Sequence, residues 1–292
     1  MINMNNLMAL LIVAVLLIAG ALYLTASRAV TVQVSAPTGA EVAEKTVTVP
    51  VWSLLVELQD AEGAPVDGNV YLLYEKPKNI YTVPTEGIYK SGTTTGGSIT
   101  FDNVRTGKTY FVLAVADGYY NAGTEVEMPE EIPKDNAELK IPVTVTVTLD
   151  KKGTIIGVQV PLMYQGSAAD VAKLVYDADT ETYKTELQFV AGTDGVVKYD
   201  KIYIELNTTT LGSATIDKMT VHVGDAEFTY DNVTGNKSIE FDTEQVIAEG
   251  ATLPIKMEIE GTGLDSVSGQ LFKVTLYDVQ EGSWTAVVEG PA

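Results

Sequence analysis

The hydrophobic pattern changes period once along the chain. Between positions 7 and 24 every residue except Gly20 is apolar. Such a run, rich in Leu and Ala and free of proline, predicts a helix that is apolar all round. At about 1.5 Å per residue it would span roughly 27 Å, close to the core of a bilayer. Past Arg28, the first charged residue, apolar and polar positions alternate. In 29–34, Val30, Val32 and Val34 share one face, as a half-buried strand requires. The alternation recurs in 45–49, 53–59, 68–74, 109–116, 141–149, 202–207, 218–223, 253–260 and 270–277. Val, Thr, Tyr and Ile dominate these runs and suit a pleated surface.

Turn signals punctuate the strands. Glu62-Gly63, Asp67-Gly68, Asp117-Gly118 and Asp194-Gly195 are the clearest. Many short strands with frequent turns predict sandwiches. Past the apolar run, only 167–174 reads as one or two helical turns. The strand pattern is interrupted at 129–136, where two prolines and a charge cluster mark the best boundary. The expected class is therefore mainly β: one long N-terminal apolar α-helix followed by two antiparallel β-sandwich modules. The expected divisions are an assembly or anchor helix at 1–28, a linker with first strands at 29–50, a sandwich at 51–128 and an immunoglobulin-like sandwich at 137–292.

Charge sharpens this picture. The chain of 292 residues carries 19 Lys+Arg against 39 Asp+Glu, a formal charge of −20. That balance excludes a nucleic-acid binder, which needs clustered cations, and disfavours docking on anionic lipid. There is no cysteine and one histidine, His222. Thiol chemistry, disulfides and cysteine-ligated metals are thereby excluded.

Two family resemblances follow. A short basic leader cut just before an uncleaved apolar helix is the plan of type IV pilins and archaeal flagellins. The run 7–24 resembles their assembly helix, and the acidic β body resembles their outer domains. A leader removed ahead of Met1 is expected on this reading, and Asn5 stands where bacterial members carry a glutamate, which fits the archaeal members better. The resemblance implies a homopolymer of many identical subunits, held in the membrane before assembly and packed through Leu7, Leu10, Leu11, Val13, Ala14, Leu17, Ile18, Gly20, Ala21 and Leu24. The second resemblance rests on 58–72 (strand, turn, Pro65, turn, strand), on 97–110, and on 115–119. It looks like the transthyretin-like sandwich found as a carboxypeptidase regulatory-like module of surface proteins. Such modules are spacers and imply no peptidase.

Candidate chemistry is sparse. His222 alternates with Val221 and Val223 and reads as a strand histidine. Asp177, Asp179 and Glu181 place carboxylates at alternate positions, but a calcium loop usually adds a glycine for its sharp turn, and none is there. The segment 192–195 reads as a hairpin turn. The Gly-rich run 92–97 lacks the lysine and following helix of a phosphate loop. No catalytic, metal or cofactor site is assigned. Asn207, Asn232 and Asn236 head N-x-S/T sequons, acceptors for glycosylation on exported proteins. The expectation is a non-enzymatic, extracellular filament subunit, with a surface or cell as possible adhesion target. The alternatives are a single-span surface or viral envelope glycoprotein and a tethered carbohydrate-active enzyme.

Overall fold

A computed structural model describes residues 27–32, 45–131 and 141–292. The expected class needs correction at its helical end. Among the described residues the only α-helix is the four-residue turn Thr208–Leu211, and no helix is long and apolar enough to cross a membrane. The ten assembly positions from Leu7 to Leu24 lie outside the described residues. Ser27 and Arg28, assigned above to the helix, begin a strand instead. The period-two Val/Thr pattern already governs the backbone there.

The described residues divide into two compact units: those up to 117 together with those between 121 and 149, and residues 118–120 with 150–292. In the first, β1 (Ser27–Val32) pairs antiparallel with the start of β2 (Lys45–Asp60), Ser27 opposite Pro50. From Val51 onward β2 pairs antiparallel with β5 (Ser98–Arg105), and from Leu54 it also pairs parallel with β8 (Val143–Leu149). Its second sheet has the order β4-β3-β6-β7, from β3 (Asn69–Leu73), β4 (Ile88–Thr93), β6 (Lys108–Val115) and β7 (Ala122–Met128). Alternate residues are buried on both sheets: Leu54, Val56 and Leu58 on β2, Val70 and Leu72 on β3.

The strand β6 departs from alternation, being buried continuously from Tyr110 to Ala114. The cause is the segment 74–87 between β3 and β4. Its Ile80 packs on Leu73, Phe111 and Leu113, on the face of β6 opposite Tyr110 and Val112. The buried Asn121 holds it there, donating from Nδ2 to the Ile80 carbonyl at 3.1 Å. An Asx contact, Tyr81 N–H to Asn79 Oδ1 at 2.8 Å, shapes the adjoining turn.

The division falls after Leu149 because β8 completes the sheet built on β2.

The second unit is a sandwich. One sheet runs β10-β19-β18-β13-β16, from β10 (Val171–Lys173), β13 (Val197–Leu206), β16 (Lys237–Ile247), β18 (Gln270–Asp278) and β19 (Ser283–Glu289). The other runs β11-β12-β17-β14-β15, with β9 (Ile155–Gln159) also on β12. Its members are β11 (Val175–Asp177), β12 (Thr182–Ala191), β14 (Thr215–Val223), β15 (Ala226–Asp231) and β17 (Thr252–Thr262). Phe189, Met257 and Ile259 from this sheet join Ile202, Phe272 and Val274 from the other in one core. The segment read above as helical turns contains β10, which pairs parallel with β19. Outside, charge marks the register. Lys184, Lys201, Lys218, Lys256 and Lys273 lie directly across from Glu258, Glu240, Glu260, Glu186 and Glu205, with N–O separations of 3.4 to 3.9 Å. Each exposed pair contributes only about 0–1 kcal/mol, but a one-residue slip of β17 would break the three that it makes with β12 and β14, and a slip of β13 the two that it makes with β16 and β18.

Phe111→Ala should lower stability by about 3–5 kcal/mol, the usual cost of emptying a buried aromatic site. It should also release the covering segment, so that trypsin cuts after the exposed Lys78. Urea unfolding and limited proteolysis measure the two effects.

Candidate functional site: a buried polar cluster and a tyrosine-lined groove

The histidine, the alternating carboxylates and the sequons singled out in the sequence are scattered through the second unit. His222 sits on β14 across from Glu227 of β15, its Nδ1 3.8 Å from the carboxylate, on a partly exposed face. Asp177 is tied to Lys184 at 2.8 Å and caps its own turn by accepting from the Asp179 N–H. That lysine hydrogen bond, more than any other influence, draws its carboxyl down to about 2. Glu181 takes a left-handed φ of 56° in the same β11–β12 hairpin. The three carboxylates therefore shape a turn, and among the described residues no group of three or more His, Asp or Glu is placed to hold a metal.

The sequons have three different surroundings. The Asn207 Oδ1 caps the helical turn Thr208–Leu211 by accepting from the Thr210 N–H at 3.1 Å. Asn236 is spent on both sides of its amide, accepting from the Leu206 N–H at 3.0 Å and donating to the Tyr203 hydroxyl at 2.7 Å. Asn232 is exposed in a left-handed turn, its backbone N–H bonded to the Asp217 carbonyl.

A buried cluster, unforeseen in the sequence, gathers around Tyr120. The tyrosine is 1% exposed, and its hydroxyl donates to Asp278 Oδ2 at 2.6 Å while accepting from the Lys198 N–H at 2.9 Å. Asp278, at the end of β18, has no exposed side-chain surface. Its Oδ1 accepts from the N–H groups of Gln280 and Glu281 and lies 3.2 Å from Lys152 Nζ. The ammonium groups of Lys152 and Lys198 stand 5.6 and 5.4 Å from the Tyr120 ring centre. Lys198 Nζ also reaches Asp150 at 2.8 Å and Glu244 at 2.9 Å. Burial, reinforced by the bond to Asp278, pushes the Tyr120 phenol far up. Burial likewise raises the Glu244 carboxyl. The buried carboxylate is thus fully engaged by donors, which makes the cluster a brace rather than a reaction centre. Tyr120 and Asp278 are 158 positions apart, so no local pattern announces them.

The second feature is a groove of about 560 Å³, open to solvent, where the chain crosses from one sheet to the other between β10 and β11. Leu174, 1% exposed, is part of its lining. Tyr176 of β11 and Tyr183 of β12 are cross-strand partners whose ring centres lie 5.2 Å apart at 56°. Lys173 and Asp265 add one charge of each sign to the lining.

No family model matches the sequence, and no curated protein matches it. Several solved structures are similar in part. The major pilin SpaD of Corynebacterium diphtheriae superposes with a TM-score of 0.31 and 14% identity, covering 82% of this chain and 64% of that one. The D312A form of BcpA, the major pilin subunit of Bacillus cereus, gives 0.34 and 12%, covering 82% and 69%. The RrgB pilus protein of Streptococcus pneumoniae gives 0.36 and 11%, covering 78% and 48%. The chain thus spans under two thirds of SpaD and about half of RrgB. These superpositions are too loose to define a common overall fold.

Tyr120→Phe should destabilise the protein by about 1–3 kcal/mol, because two buried groups lose a partner. Tyr176→Phe, at an exposed ring, should leave thermal unfolding unchanged. A separate test concerns Asp177. Its folded carboxyl lies below the ordinary 3.8, so its stabilising effect is present above pH 4 and is lost as pH falls toward about 2. The difference in Tm between the protein and Lys184→Met should therefore shrink across that window.

Proposed function

We propose that the chain is a non-enzymatic structural subunit of an extracellular surface filament, present as many identical copies. The observation that carries this reading is the series of two β units, each burying its own apolar residues beneath a polar exterior. Such units hold their shape through their own packed cores, as a spacer or stalk must. The charge of −20 keeps the exteriors solvated and mutually repelling, which favours a defined contact over random aggregation. Packing through an apolar helix is no part of the proposal. Residence in a membrane before assembly is part of it, and rests on the apolar run 7–24 alone. Of the three sequons, Asn232 is the position where a glycan is compatible with the fold, since its side chain is exposed and makes no bond.

Electron microscopy of material sheared from the native cell surface tests the reading. Filaments containing this chain are expected, with glycopeptide mass spectrometry placing any N-glycan at Asn232. Finding only dispersed monomers would overturn the filament assignment.

A further inference from the structure

The groove in the second unit has features that neither a brace nor a spacer requires. Tyr176 is 53% exposed although it is a large aromatic residue on a three-residue strand. It meets Tyr183 at 56°, so the two rings form a concave corner rather than a flat stack. Neither Lys173 nor Asp265 takes part in an ion pair among the described residues, whereas other lysines of this unit face carboxylates. Both belong to the lining, with the half-buried Val175 and Pro291 providing apolar surface. The volume of about 560 Å³ falls within the roughly 300–1,000 Å³ of small-ligand sites.

We propose that this groove binds a neutral oligosaccharide, one sugar ring resting its C–H face in the corner of Tyr176 and Tyr183 while its hydroxyls meet Asp265 and Lys173. Three features favour that chemistry. A sugar ring is amphipathic in the same sense as the groove, with an apolar face and a hydroxyl edge. Asp265 offers an acceptor and Lys173 a donor, and hydroxyl groups satisfy both. A groove open to solvent also lets a longer chain run past the site. Anionic sugars are disfavoured by the charge of −20, against which Lys173 is a single cation. The inference is independent of polymerisation: the site lies within one unit of one chain.

The test uses the full-length chain in a detergent without a sugar head group. Isothermal titration would be run against neutral gluco-, galacto-, manno- and N-acetylglucosamine oligosaccharides, a uronate oligosaccharide and a proline-rich peptide. At least one neutral oligosaccharide should bind. Tyr176→Ala should weaken it by about tenfold, and Tyr176→Phe, which keeps the ring, should retain it. Asp265→Asn should weaken it with unchanged Tm. The exposure of Tyr176 and Asp265 allows these variants to fold, which thermal unfolding would verify. The proposal is overturned if no neutral oligosaccharide binds, if binding ignores Tyr176→Ala, or if only the uronate or the peptide binds. A filament subunit that binds no sugar would sink this inference and leave the functional reading standing. Sugar binding by a chain that forms no filament would do the reverse.

Discussion

A β-strand has two faces, and one partner sheet can hide only one of them. Most of this protein follows from where the second face goes. Along β12, β14 and β17 it meets water, and the cross-strand glutamates and lysines stand there. On β6 it carries Phe111 and Leu113, too apolar for water, so the chain sends the segment 74–87 back to cover it. The open groove lies at the crossing between sheets, where tyrosines with one apolar and one polar end are suited to remain.

Polar burial follows the same economy. The second unit encloses one carboxylate fully, at Asp278, and surrounds it with a phenol, two backbone N–H groups and an ammonium. Breaking one side of such an arrangement costs more than its formation contributes, because the remaining groups stay buried without partners. That asymmetry makes the cluster rigid.

Local features of the fold were legible in the sequence, and long-range ones were not. The Asp67-Gly68 turn was recognisable as a turn, and the run 92–97 stood out only as Gly-rich. In the structure they meet, Asp67 Oδ1 accepting from the Gly97 N–H at 2.8 Å and Thr94 bonding Gly68. Gly97 has a φ of 77°, and a Cβ there would lie 2.6 Å from Pro65, so both its conformation and its space demand glycine. Alternation located β8 but did not reveal that it pairs with β2 across 89 positions. The tyrosines of the groove were invisible as a pair, since only the β11–β12 register sets Tyr176 against Tyr183. The strongest signal in the sequence, the apolar run, falls outside the described residues.

The covering segment 74–87 leads to one last point. It is held through Ile80, by its side chain on the Phe111 cluster and its carbonyl on Asn121. Tyr74, Glu75, Lys76 and Lys78 before it, like Thr85, Glu86 and Gly87 after it, are exposed. Anchorage and display are thus assigned to different positions of one segment. Apart from Tyr74, whose ring packs on Tyr89 and Tyr110, and Gly87, whose φ of 76° calls for glycine, its outer residues are free to change while the anchor stays fixed, which makes this segment the natural place for variants of the protein to diverge in surface identity at little cost to the fold.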